Sequence, residues 1–306
     1  RDVTGVQTCA LPILMGAGSA VAAEGGMAAA NAMPPGSVFD LGQIEQVTIT
    51  AAPESQAVSE STVTSDELYK FNALTVDRAL DLTAGAASGS TGGPRNERLF
   101  FIRGFDRFQS PLFVDGIRVY LPADNRLDIG FFNTADLAKI QVDKGYVSVL
   151  SGPGAIGGAV NLVTRKPTQP FEYEARAGLM FGGDMSYNGY SSSARLGGND
   201  GKYYWQVSGA ITKLDHFRVS DDFIPTASED GGPRDHSNTR NYSLNLKSGF
   251  TPNATDEYSL SYSGTWGQKD ATFSTIDPAS SQKDWRWPYW NVQSLYFLSK
   301  IGRAHV

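Results

Sequence analysis

After Pro167 the chain beats with a period of two. Tyr173, Ala175, Ala177, Leu179 and Phe181 alternate with Glu174, Arg176, Gly178 and Met180, and similar runs occupy 203–212, 242–250 and 258–266. Side chains two apart share one face of a strand, so each run predicts a strand with an apolar and a polar side. Each run is about ten residues, enough for a tilted strand to cross a bilayer. Aromatics gather near the ends of several apolar faces, where an interfacial girdle would hold them. Between the strands lie three short connections (182–186, 198–202 and 251–256) and two long ones (about 214–239 and 268–290). Transmembrane barrels keep tight turns on the periplasmic side and longer loops outside. With the first strand running outward, both long loops and the first short one face the exterior. The other two turns then face the periplasm. A soluble sandwich with one polar face would alternate in the same way. Five clear strands and an ambiguous sixth at 291–299 are too few to enclose an aqueous pore, so a barrel reading expects further strands.

Before Pro167 the pattern is mixed. Ser65-Asp66-Glu67-Leu68 opens a short helix with Ser65 as its cap. Leu74 to Leu82 gives another, with Leu74, Ala79 and Leu82 on an apolar side and Thr75 near its start. Strands are expected at 99–103, 111–114, 117–119, 140–144 and 159–164. Helices and strands in irregular order predict an α+β domain over 61–167, followed over 168–299 by the first strands of an antiparallel transmembrane β-barrel. Residues 33–60, rich in Pro, Ser, Ala and Gln, read as a flexible tether with one β-prone island at 45–51. Upstream, 14–32 reads as the small-residue tail of a secretory signal, with A-x-A-like sites at 21–23 and 30–32. Residues 3–13 and 300–306 resemble translated sequencing-adapter DNA. The expectation is therefore a reading frame clipped at both sides, with 1–32 and 300–306 outside the folded domains.

Composition narrows the classes. The 306 residues include 33 glycines and 11% aromatics, which suits a β-rich chain with tight turns, and carry a net charge of −6. With no basic stripe, a nucleic-acid partner is not expected. No apolar run reaches the roughly 18 residues of a membrane helix. Cys9, the only cysteine, lies in the adapter-like stretch, so neither a disulfide nor a Cys-ligated metal is expected. There is no GxSxG elbow, HExxH or Cys-based site, and no cofactor is expected. Gly152, Gly154 and Gly157 satisfy GxGxxG, yet the β-prone Ala159 to Thr164 follows where a dinucleotide site needs a helix. The glycines read better as a tightly turning loop. His216 and His236 fall in an expected external loop, where solvated histidines are commoner than metal ligands.

Several motifs together resemble one family. Asp136 to Pro167 (DLAKIQVDKGYVSVLSGPGAIGGAVNLVTRKP) is similar to the end of the plug in TonB-dependent outer-membrane receptors. NERLFFIRGF (96–105) looks like the plug's IRGF strand and turn, and PLFVDGIRVY (111–120) like its VLVDGV hairpin. The family often has an aromatic before the glycine where this chain reads Ser148-Val149-Leu150-Ser151-Gly152. The island Glu45, Gln46, Val47, Thr48, Ile49, Thr50 and Ala51 resembles the TonB box, which precedes the plug by a short linker. The resemblance covers about 45–299.

The resemblance implies a non-enzymatic receptor in a Gram-negative outer membrane, monomeric and in contact with lipid. It would take up a ferric siderophore or related metal chelate with energy delivered through TonB. Glu45 to Ala51 would pair as a strand with TonB. Loops expected to face outward offer Arg95, Arg107, Phe108, Gln109, Tyr120 and Arg126 to an anionic, aryl-bearing chelate. Structural roles in the plug fall to Arg103, Gly104, Asp115, Gly116, Gly152, Gly157 and Gly158. Of these, Arg103 is expected to ion-pair with the barrel wall and Asp115-Gly116 to make a hairpin turn. A passive porin and a secreted β-rich binding or adhesion protein are the alternatives.

Overall fold

The computed structural model describes residues 9–19 (backbone only), 60–90, 96–121, 124–145, 147, 152–275, 277–283 and 285–302. The mixed region opens with strand β2 (Glu60–Thr64) and helix α1 (Ser65–Lys70). The cap of α1 is Thr64, one residue earlier than expected. Its Oγ1 accepts from the Glu67 N–H at 3.3 Å while the Glu67 carboxylate accepts from the Thr64 N–H at 2.8 Å, a reciprocal capping box. Helix α2 is Val76–Leu80, capped at Thr75. It buries Val76, Ala79 and Leu80, whereas Leu82, expected on the apolar side, lies past its end and is 40% exposed.

Strands β3 (Ala86–Ser90) and β4 (Arg98–Ile102) form a two-stranded ribbon. Strands β5 (Leu112–Val114), β6 (Ile117–Val119), β7 (Leu137–Lys144) and β8 (Gly158–Thr164) join β2 in a five-stranded sheet of order β2-β7-β8-β5-β6, with only β5 and β8 parallel. Neither β2 nor β3 was expected. Ala-Ala-Ser-Gly-Ser in β3 has no apolar beat to announce it. The core gathers Val76, Leu80, Ile102, Leu112, Ile129, Ile140, Val142 and Val160 between the sheet and the two helices. This unit buries its apolar side chains inward, as a water-soluble domain does.

The second region inverts that rule. Strands β9 (Glu172–Phe181), β10 (Tyr187–Asn199), β11 (Tyr203–Leu214), β12 (Thr239–Phe250), β13 (Glu257–Ala271) and β14 (Trp285–Lys300) pair antiparallel, each with the next. The first strand, β1 (Cys9–Ser19), lies antiparallel along the outer edge of β9. Part of the stretch read as adapter and signal remnant thus occupies a sheet edge. Leu179, Val207, Leu244, Leu246, Leu260 and Phe297 point away from the first domain and are exposed, while Gln206, Ser208, Asn241, Ser259, Ser261 and Lys269 are buried against it. Apolar outside and polar inside is the arrangement of a barrel stave in lipid. No helix among the described residues is long and apolar enough to cross a membrane.

The ends of the staves sort as loop length predicts. At one end, Arg218 of the 215–238 loop pairs with Asp184 of the first hairpin at 2.6 Å, and Ser228 donates to the Ser274 carbonyl of the next long loop at 3.3 Å. At the other, Thr251 donates to the Lys202 carbonyl at 2.7 Å, joining the two tight turns.

Candidate functional site

Three carboxylates seat the first domain against the staves. Asp115 begins the β5–β6 turn, with φ of +49° there and +81° at Gly116, the left-handed pair of a tight hairpin. Its carboxylate accepts from Thr164 N and Oγ1 at 2.8 and 2.7 Å, then from Lys247 Nζ of β12 at 2.9 Å and the Tyr296 hydroxyl of β14 at 3.0 Å. Burial pushes this carboxyl upward, but Lys247 and Thr164 outweigh it and hold the group below the usual range. Asp128 caps a 3-10 turn at Ile129–Phe131 and accepts from Gly130 N at 3.1 Å and from the ammonium of Lys269 on β13.

Asp136 differs from both. It is buried and accepts from Gln206 Nε2 and Ser208 Oγ of β11, both at 2.7 Å, and among the described residues no cation pairs with it directly. Burial pushes it up to about 6, against the Ser208 hydrogen bond and the fields of Lys247, Arg195 and Arg165. Around these groups Phe131 stacks on Trp290 of β14 at 4.9 Å between ring centroids. Gly267 of β13 makes room for it: a Cβ there would lie 2.4 Å from the Phe131 ring. Asn133 donates to Ser243 and accepts from Thr212, each at 3.2 Å.

The residues singled out in the sequence scatter. Glu45 to Ala51 and Arg95 lie outside the described residues. Arg103 is exposed at φ +51° and its N–H donates to the Gly85 carbonyl at 2.8 Å; among the described residues no ion pair joins it to β9–β14. The apolar beat of its strand ends in a left-handed turn with Gly104 at φ +85°, which swings the guanidinium out. The wall contacts come instead from carboxylates that the sequence did not distinguish from ordinary turn residues. Gly152 is left-handed at φ +75°. Gly157 and Gly158 are packed so closely that a Cβ would meet Phe105 Cβ at 2.2 Å and the Asp143 carbonyl at 2.1 Å.

Asp115 and Thr164 sit beside Lys247, near the short-turn end of β12. The opposite ends of β5, β6 and β8, with the described loop residues 103–111, 120–121, 124–126 and 152–157, therefore point toward the long loops. Phe108 and Tyr120 are exposed there at 50% and 62%, joined by Phe105 and by Ile156 at 72%. The arginines are engaged within the loops. Arg107 donates to the Asp124 carbonyl at 2.7 Å and lies 4.3 Å from the centre of the Phe108 ring, and Arg126 pairs with Asp124 at 3.3 Å and Glu97 at 3.6 Å. The Gln109 carbonyl accepts from Gly157 N at 2.9 Å. Among the described residues the only carboxylate group close enough to share a metal is Glu229, Asp230 and Asp235 in the 215–238 loop, and Arg234 already neutralises Glu229.

Residues 52–159 match the model of the TonB-dependent Receptor Plug Domain. The chain therefore carries a TonB-dependent receptor plug domain. Its relatives include the probable TonB-dependent receptor BfrD of Bordetella pertussis, 40% identical over 92 residues, which are 30% of this chain and 11% of that protein. The vitamin B12 transporter BtuB of Vibrio vulnificus is 25% identical over 219 residues, 70% of this chain and 33% of that one. The siderophore receptor PirA from Acinetobacter baumannii shares the fold at a TM-score of 0.57 and 17% identity, over 74% of this chain and 34% of PirA. The FrpB iron transporter from Neisseria meningitidis does so at 0.60 and 18%, over 74% of this chain and 35% of FrpB. The chain spans about a third or less of the length of these proteins. It is a chain of the outer membrane with a plug over 52–159, and β9–β14 are antiparallel staves beside that plug.

Proposed function

We propose that the receptor takes up a scarce solute across the outer membrane, with energy passed to the plug through TonB, and that its cargo is a ferric siderophore or related metal chelate. The observation that carries this reading is a folded plug tied to the stave interior by Asp115, Asp128 and Asp136, with an aromatic face open on the long-loop side. A passive pore has no use for such a stopper. Phe108 and Tyr120 would stack on an aryl chelate, and Arg107, held over the Phe108 ring, would add positive field without reaching into solvent. Glu45 to Ala51 would add as a strand to TonB, its backbone supplying the hydrogen bonds.

Deleting Glu45 to Ala51 from the complete receptor tests the coupling. Uptake of iron-loaded siderophore should stop while binding at the cell surface persists; undiminished uptake would mean a passive channel. Growth of a receptor-deletion strain on a panel of ferric siderophores and corrinoids identifies the cargo. Replacing Phe108 and Tyr120 by Ala should weaken binding of an aryl chelate, and unchanged affinity would remove the aromatic face from the reading.

A further inference from the structure

The long-loop end of the molecule carries its free charge unevenly. Loop 215–238 holds six carboxylates, Asp215, Asp221, Asp222, Glu229, Asp230 and Asp235, against two arginines. Both arginines are already paired: Arg218 with Asp184 at 2.6 Å, and Arg234 with the buried Glu229. Asp215 is met by Lys213 at 2.6 Å. The other four, Asp221, Asp222, Asp230 and Asp235, are exposed, and among the described residues none has a cation partner. The loop that carries them is tied down. Arg234 also donates to the Phe273 carbonyl of the next long loop, and the His236 and Phe273 rings lie 4.2 Å apart between centres. The described part of that next loop adds one charge of each sign, Asp277 and Lys283.

The plug loops at the same end do not offset this. Arg107 lies 3.5 Å from Asp106, and Arg126 pairs with Asp124 and Glu97. The arginines that suggest an anionic chelate in the sequence are thus largely neutralised in the fold. Arg118 donates to the Pro153 carbonyl at 2.8 Å, and Arg103 is exposed; among the described residues neither has an acid partner. Two free cations therefore stand against four free anions. The surface between them is aromatic, with Phe105 41% exposed beside Phe108 and Tyr120.

Exposed charges act over about 10 Å at 0.1 M salt, so the four aspartates set the potential of the mouth rather than of the whole molecule. A ring face attracts a cation placed over it through the negative charge of its π-system. Rim and floor thus favour the same sign of cargo. We propose that the mouth selects for positive charge: among metal chelates the receptor takes those with a net positive charge or a pendant ammonium group, and turns polyanionic ones away. This rests on the uptake reading and names the charge class of its cargo. The aspartates draw the chelate in, and Phe105, Phe108 and Tyr120 receive its cationic part. A polyanion is repelled by the rim and gains nothing from the ring faces.

The test uses the complete receptor in cells, carrying Ile156→Cys, a 72% exposed plug position outside the aromatic set. Two extracellular thiol reagents of similar size are compared, a trimethylammonium-bearing and a sulfonate-bearing methanethiosulfonate, each rate divided by that with free cysteine. A neutral maleimide measures the amount of receptor. At low salt the cationic reagent should be favoured about tenfold, and the preference should shrink towards one at about 0.5 M salt. Asp221→Asn, Asp222→Asn, Asp230→Asn and Asp235→Asn combined should remove most of it. Equal rates, a preference for the sulfonate, or a cation preference that survives the four substitutions overturns the proposal. So does uptake of ferric enterobactin, a trianion, through the parent receptor. Failure of the uptake reading shows separately, as uptake that survives deletion of Glu45 to Ala51, and leaves the thiol rates untouched.

Discussion

The plug and the staves use the same alternation to opposite ends. In the plug, Ile140 and Val142 of β7 point into an apolar core, and the polar Gln141 between them lies on the other face. In β11, Trp205 and Val207 point outward, and Gln206 and Ser208 lie buried with Asp136. A period of two therefore reports a strand with two unlike faces and leaves open which face is covered. The solvent decides it: water outside the plug core, hydrocarbon outside the staves. Where the two regions meet, both present polar groups, so ion pairs and hydrogen bonds build the joint together with the Phe131–Trp290 stack.

The sharpest way to break that joint is Lys247→Met. It leaves Asp115 buried without its cation, a change of about 3–5 kcal/mol for a buried pair. Plug release in denaturant, followed by protease cleavage, should move to lower concentration, and adding Asp115→Asn should recover much of the loss. Leu244→Arg, on the outer face of β12, separates lipid from water as the outside medium. Folding into bilayers should be destabilised by about 2–4 kcal/mol, whereas a water-facing position would tolerate the change within about 0.5 kcal/mol.

Asp136 sharpens the comparison through pH. Its folded value is about 6 against an ordinary 3.8, so between these values the seated plug holds a proton that the free chain does not. Stability from this group is therefore greatest below about 3.8 and falls as pH rises through the window, the loss being complete above about 6. The size is on the order of 3 kcal/mol at most, at about 1.4 kcal/mol per pKa unit. Asp136→Asn should flatten the dependence of plug release between pH 4 and pH 7, and a persisting slope would move it to another group. The smallest effect is Thr64→Ala. Loss of the α1 cap should weaken the β2–α1 unit by about 1 kcal/mol, seen as faster hydrogen exchange there and unchanged exchange in β13.

Both regions were legible as fold, and unequally as chemistry. Long alternating runs and loop lengths predicted the staves because each wets one face and greases the other over about ten residues. Strand β3 escaped because Ala, Ser and Gly carry no apolar signal, and β2 because Glu-Ser-Thr-Val-Thr holds a single apolar residue. The Asp115-Gly116 turn was readable from local chemistry, yet the grip of Asp115 on Lys247 and Tyr296 was not, since these partners are 132 and 181 residues away. At Arg103 the local signal was the turn that follows the apolar strand, where the residue is left-handed and exposed.

The Asp115 node also constrains the order of assembly. Its last hydroxyl donor arrives with Tyr296 on β14, far along the chain from the turn that presents the carboxylate. Contacts this distant in sequence form late, after the loop between them has been closed. The hairpin and its Thr164 partner can be made while the nascent chain is still crossing the periplasm, but locking must wait for the wall. Until then Asp115 keeps an open coordination shell, so a half-built cylinder closes around a finished stopper.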